Sequence, residues 1–257
     1  MTGLADLMQI SQDVFWLHAI VFLRVGPVMS LFPGIGESTV SVRIKLALAI
    51  AFTVICAPAV APYLARLPLP GVEFAWIAVT ETVVGLIVGI GVRLFLMAMQ
   101  TAGSMAAQAT SLAQILGAAG TTPMPAMGHV LTLGAIALAM LLGLHVRVAE
   151  MVIATYKVFP VGAMPAAAAT SQWGIAQVAR AFSLAFTLAA PFVIVSVVYN
   201  LTLGIINRAM PQMMVVFVGA PVITLGGLLM LFLLAPGMLS LWMQALEHFV
   251  ANPFGPP

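Results

Sequence analysis

The stretch 74-FAWIAVTETVVGLIVGIGVRLFLMAMQTAGSMAAQATSLA-113 contains no proline, and Glu81 and Arg93 are its only ionisable side chains. As one helix it would extend about 60 Å, roughly twice the hydrocarbon thickness of a bilayer. Either it breaks or part of it leaves the lipid. The softest place is Gly103 to Gly120, rich in Ala, Gly, Thr, Ser and Gln and followed by Thr121-Thr122-Pro123-Met124-Pro125.

Composition makes the lipid setting general. Of 257 residues, 63% are hydrophobic and only 6% charged, against roughly a quarter charged in an ordinary soluble domain. So few charges cannot cover a water-soluble globule, which excludes soluble enzymes, nucleic-acid readers and disordered regulators. Nine Lys plus Arg against seven Asp plus Glu leave a net charge of +2, no basic patch for nucleic acid. The single cysteine, Cys56, cannot form an internal disulfide and reads as a buried thiol. The N-terminus carries Asp6 and Asp13 but no Lys or Arg before Arg24, which argues against a cleaved signal peptide.

Working outward, a first apolar run covers Val14 to Phe32, weakened by Gly26-Pro27 and ended by Pro33-Gly34. A second covers Val42 to Tyr63, and Arg66 to Gly71 reads as a turn. A fourth covers Val130 to Phe159, with a loop at Pro160 to Thr170. A fifth covers Trp173 to Ile206, bent at Pro191, and a sixth Met213 to Phe249 with Pro221 and Pro236 inside. The tail Asn252 to Pro257 reads as a frayed end. The expected fold is an all-α membrane protein, a single integral domain over 1–257 with about six hydrophobic helical units. Positive charges show almost no bias between the two sides of a simple serpentine, which allows helical hairpins that do not cross in the ordinary way.

Ionisable residues in apolar helices are costly and so informative. Here they are Arg24, Glu81, Arg93, Glu150 and Arg180. Glu81, Gly85 and Gly89 share one helix face, and small residues allow close backbone approach. Two readings follow for Glu81: docking of a partner helix, or a salt bridge to one of the arginines. The uncharged polar segment from Gln100 to Gly120 also has two readings, a mobile loop lining a water-filled path or an extramembrane loop. Met124, Met127, Met210, Met213 and Met214 flank breaks and could form a deformable seal, although gap filling explains most methionines.

Catalytic sets are missing. His18, His129, His145 and His248 are scattered, and the chain has no H-E-x-x-H, G-x-S-x-G or G-x-x-x-x-G-K-[ST]. No cofactor or metal is expected, and the chain does not read as an enzyme. A stand-alone secondary transporter, with buried Glu81 and Arg93 and broken helices, is an alternative, but no two related halves are evident.

The most specific segment is 199-YNLTLGIINRAMPQMMVVFVGAP-221. Asn200, Gly204, Asn207, Arg208, Pro211 and Gln212 make a polar elbow between two apolar runs, with the chain bent at Pro211. Asn207 and Arg208 could bond the carbonyls freed at the helix end. This elbow resembles the N-L-x-L-G-L-L-N-R-x-x-P-Q signature of the FliR family, flagellar proteins of the type III export gate with injectisome relatives. Arg24-Val25-Gly26, Phe32-Pro33 and Arg43-Ile44-Lys45 are similar to its N-terminal pattern. Glu81, Gly85, Gly89, Gln100, Ala102 and Gly103 match its E-x-x-x-G-x-x-x-G…Q-x-A-G helix, and Gly143-Leu144-His145 and Phe159-Pro160-Val161-Gly162 its central stretches. Ser41 replaces a frequent proline, and Met213-Met214 replace the usual polar residue after Pro211-Gln212.

The resemblance implies a non-enzymatic subunit of the bacterial inner membrane, at the flagellar basal body. Its fold would be a FliP-like unit over 1–170 followed by a FliQ-like hairpin over 171–257. FliP-like and FliQ-like subunits would complete a closed channel, and FlhB-like and FlhA-like export proteins would join it. Unfolded flagellar substrates would pass once a plug loop at about 109–127 moves aside. Gln108, Gln114, Gly117, Gly120, Met124 and Met127 would belong to that plug. Glu81, Gly85, Gly89, Gln100 and Gly103 would pack subunits.

Overall fold

The computed structural model describes residues 2–64, 72–110, 126–210 and 215–255. Among these, the helices in chain order are α1 Thr2–Leu31, α2 Val42–Val60, α3 Val72–Thr110, α4 Ala126–Leu141, α5 Leu144–Val158, α6 Ala167–Ala209 and α7 Val215–Ala251. A single 3-10 turn, Ala61–Tyr63, extends α2. No strand occurs among the described residues. A lipid-facing backbone has no water to bond, so each apolar run closes its hydrogen bonds within itself as a helix.

Among the described residues, five helices contain a stretch long and apolar enough to cross a membrane: Met8–Leu31, Val42–Tyr63, Glu73–Ala109, Ala167–Ala209 and Val222–Ala251. The shorter α4 and α5 meet that test only as a pair, which would make a sixth, broken span. The protein is therefore an all-α, multi-spanning membrane protein.

Several boundaries differ from the sequence expectation. The first helix does not begin at Val14 but at Thr2; as the apolar run to Phe32 implies, it continues through Gly26 and Pro27. Proline removes one helical hydrogen bond. The buried face Ile20, Val21, Val25, Val28 and Met29 holds the helix across that gap by packing. In the long third run α3 is continuous for 39 residues through Gly103 to Thr110, about 58 Å, and the rest of the soft stretch, 111–120, lies outside the described residues. The fourth run, by contrast, divides at Gly143, which takes φ 78° and starts α5. The loop after it is shorter than expected because α6 begins at Ala167.

The C-terminal tail is not frayed over its described part. Trp173 donates its indole N–H to the Pro253 carbonyl at 2.8 Å. Phe254 packs edge-on against Phe159 and tilted against Trp173. An aromatic ring with apolar neighbours outweighs the ordering cost of a short terminus.

The chain gathers into two compact units. One comprises Met1–Leu94, Leu142–Gln177 and Glu247–Pro257. In it α1 packs on α2 and α2 on α5, around Phe32, Cys56, Val84, Val88, Val148 and Val152. Cys56 is a buried free thiol, as its apolar setting in the sequence implies. The other unit comprises Phe95–Leu141 and Val178–Leu246. Its core holds Leu96, Met99, Leu131, Leu188, Phe192 and Trp242. Trp242 is fully buried, and its indole N–H donates to the Phe95 carbonyl at 2.7 Å.

Gly143 carries a testable consequence. A Cβ there would meet no other atom within 4 Å, so only the left-handed backbone opposes a side chain. Gly143→Ala should destabilise by about 1–2 kcal/mol. Gly143→Asn should cost less, because Asn tolerates this region. Thermal unfolding in detergent, with the three proteins compared, checks the order.

Candidate functional site

The first unit is organised around a buried ion pair. Arg24 on α1 and Glu81 on α3 are both fully buried. The pairing is bidentate: Arg24 Nε donates to Glu81 Oε2 at 2.7 Å, and Arg24 Nη2 to Glu81 Oε1 at 3.0 Å. Two further guanidinium N–H groups are used as well. Nη2 also donates to the Phe159 carbonyl at 2.9 Å, and Nη1 to Thr155 Oγ1 at 3.0 Å. The Thr155 hydroxyl in turn donates to the Val152 carbonyl at 2.6 Å. The guanidinium lies over the Tyr156 ring, 3.6 Å from its centroid, in the geometry of a cation–π contact.

Glu81 is shared too. Its Oε1 accepts the backbone N–H of Gly162 at 3.4 Å, and Trp76 donates its indole N–H to the Gly162 carbonyl at 3.1 Å. The pair thus ties α1, α3, α5 and the loop after α5 together. Lone charges would not survive at this depth, whereas a bidentate pair with its outer donors satisfied does.

Of the two readings of Glu81, the geometry realises the salt bridge, and its partner is Arg24. The small-residue stripe does receive a helix closely, and that helix is α1 of the same chain. A Cβ on Gly85 would run into the Arg24 carbonyl, and one on Gly89 would press on Val28 and Leu31. Arg93 is engaged elsewhere, donating to Glu37 Oε1 at 2.6 Å in a half-buried pair. Glu81 and Arg93, the two charges noted for the transporter alternative, have separate partners.

The other expected residues lie as follows. Gly103 on α3 and Gly128 on α4 touch backbone to backbone, so a Cβ on Gly103 would overlap the Gly128 Cα. Gln100 and Met127 are half-buried, and Gln108 is exposed. Gln114, Gly117, Gly120 and Met124 lie outside the described residues, as do Pro211 and Gln212.

At the elbow, Asn200 donates to the Ser196 carbonyl at 2.9 Å and to Ser196 Oγ at 3.1 Å. Ser196 Oγ in turn donates to the Ala109 carbonyl, joining α6 to the last turn of α3. Gly204, Asn207 and Arg208 are exposed. The helix-end carbonyl of Ile206 is met by the backbone N–H of Met210 at 2.8 Å, where the sequence suggested the side chains of Asn207 and Arg208.

Sequence reasoning missed Thr155, Tyr156, Ser196 and Gly128. Thr155 and Tyr156 stand within one helical turn of the Phe159-Pro160-Val161-Gly162 stretch, and that proximity was the available signal. Three stretches quoted for the family resemblance do converge at the ion pair: Arg24 from the first, Glu81 from the second, and Phe159 and Gly162 from the third.

The fold and its inward-facing structural charges define a multi-spanning helical membrane protein. The family model described as "Bacterial export proteins, family 1" matches residues 15–249. The flagellar biosynthetic protein FliR of Caulobacter vibrioides is 30% identical over 229 residues, covering 88% of this chain and 91% of that protein. FliR of Escherichia coli is 26% identical over 242 residues, covering 90% of each. FliR of Aquifex aeolicus is 27% identical over 229 residues, covering 88% of each. The chain belongs to the FliR family of bacterial export proteins. Members of this family are transport components and not enzymes. Its spans and its family together put the chain in the inner membrane at the flagellar basal body, among the components of the export apparatus.

Removal of one charge should be worse than removal of both. Arg24→Met leaves Glu81 buried alone and should cost about 3–5 kcal/mol, whereas Arg24→Met with Glu81→Leu should recover much of that. Gly85→Ala should destabilise through α1 while leaving both charges in place. Thermal melting of these three variants and of Glu81→Leu alone beside the parent protein, read as a double-mutant cycle for the charges, checks both expectations.

Proposed function

We propose that this chain is a subunit of the flagellar type III export gate, closing a channel through which unfolded flagellar substrates leave the cell. The observation that carries the reading is the similarity to flagellar FliR proteins over nearly the whole of both chains. In this reading residues 1–170 form a FliP-like part and residues 171–257 a FliQ-like hairpin. FliP-like and FliQ-like subunits complete the channel, and FlhB-like and FlhA-like proteins engage it. Exposed apolar side chains on α6 and α7, such as Phe182, Phe186, Leu229 and Phe232, are suited to lipid or to subunit packing.

The plug is proposed to be the segment of about 109–127, with Gln108, Gln114, Gly117, Gly120, Met124 and Met127. The Gly103–Gly128 contact supports this assignment, because it clamps the two helices that flank the segment. The Asn200–Ser196–Ala109 relay supports it too, by anchoring the end of α3. Glu81, Gly85 and Gly89 then serve subunit packing indirectly, by holding α1 where a neighbour meets it. Asn207 and Arg208, which are exposed, would offer a partner the near side of the elbow assigned from the sequence to Asn207, Arg208, Pro211 and Gln212.

Two measurements test the proposal. Purification of the chain from its native membrane in gentle detergent should bring FliP-like and FliQ-like subunits along in one large particle; a clean monomer would overturn the gate reading. Deletion of Gln114 to Gly120 should make membranes containing the assembled particle leak ions. A particle that stays fully tight would remove the plug assignment and leave the gate reading to the first measurement.

A further inference from the structure

A groove of about 560 Å³ runs along the first unit between α1, α2 and α3. Its walls include Phe22 and Pro27 of α1, Leu46 and Ala49 of α2, and Leu86 of α3. Gly26 forms part of the floor, where a Cβ would meet nothing nearer than the Phe22 ring at 3.8 Å. The α1 wall from Phe22 to Ser30 is about 12 Å long, the reach of a partial acyl chain.

Among the described residues, Lys45 is the cation that lines this apolar channel. Its ammonium donates to the Gly36 carbonyl at 3.0 Å, so it points to the end of the groove beside the 32–41 loop. An ammonium has three donors, and this bond uses one. The charges at that end do not cancel. Glu37 is committed to Arg93, while Lys45 and the exposed Arg43 lack carboxylate partners among the described residues. An apolar trough with surplus positive charge at one end is complementary to an anionic lipid: acyl chain along the trough, phosphate at the ammonium.

We propose that this groove binds an anionic phospholipid, with its headgroup phosphate on Lys45 and one acyl chain against Gly26, Pro27 and Leu46. The site depends on the membrane setting and not on the gate reading. It gives the loop between α1 and α2 a lipid-held position.

The test is native mass spectrometry of the full chain in mild detergent, with phosphatidylglycerol or phosphatidylethanolamine added. The parent protein should retain phosphatidylglycerol several-fold better than the zwitterionic lipid. Lys45→Gln keeps a donor for Gly36 and should abolish that preference, while Lys45→Arg should restore it. Leu46→Trp, at an exposed position on the groove wall, should lower retention of both lipids. Circular dichroism and thermal melting of each variant verify that it is folded. Equal retention of the two lipids by the parent protein, or unchanged retention in Leu46→Trp, would overturn the proposal. So would crosslinking from position 46 that captures a protein subunit and no lipid in the native particle.

Discussion

Charge neutralisation between Arg24 and Glu81 at zero exposure is the constraint on which the first unit rests. Either charge alone, moved from water to such a site, would face a desolvation penalty of several kcal/mol. Together they are tolerable only in one arrangement, because the guanidinium fork must meet the carboxylate edge-on. That demand fixes the rotation of α1 about its axis and its height against α3. It then reaches outward: Thr155 and the Phe159 carbonyl satisfy the spare donors, so α5 and the following loop are drawn to the same point. Gly85 completes the arrangement by omission, since any side chain there would hold the Arg24 backbone away.

The long helices follow from a different economy. In lipid, a backbone that stops being helical must find partners elsewhere. Polar side chains therefore close bonds locally or across a neighbouring helix. Thr53, Thr187 and Thr202 donate back to carbonyls on their own helices. Ser196 and Trp242 reach between helices instead, in the second unit, and Asn200 bonds Ser196 along the same helix. Much of the remaining apolar surface faces outward, most of all on α7. It calls for lipid or for neighbouring subunits, which accords with a protein built into a larger apparatus.

The candidate site was partly legible in the residues. Glu81 and Arg24 stood out because charge in an apolar helix is expensive, and the stripe of Gly85 and Gly89 announced a close approach. What the stripe could not reveal was the identity of the approaching helix. Any partner, internal or external, would leave the same spacing of small residues. Thr155 and Tyr156 were invisible for a related reason: in sequence they are ordinary helical residues, and they acquire a role only once α5 is laid beside Arg24. The start of the first helix was misjudged, since it lies at Thr2 and not at Val14, whereas its passage through Pro27 follows the apolar run. The tail was misjudged because Phe254 finds Trp173, some 80 residues away, as a partner.

The sequence by itself determined that this is a helical membrane protein, and its motifs placed it in its family. Composition and run length settle those questions, because hydration of charge and the backbone's need for hydrogen bonds are properties of single residues and single segments. The tertiary structure alone decided which arginine neutralises Glu81, which helix Gly85 admits, and which backbones meet at Gly103 and Gly128. Those are relations between segments far apart in the chain. An ion pair or a glycine contact becomes specific only when packing has excluded water and brought one particular partner within bonding distance.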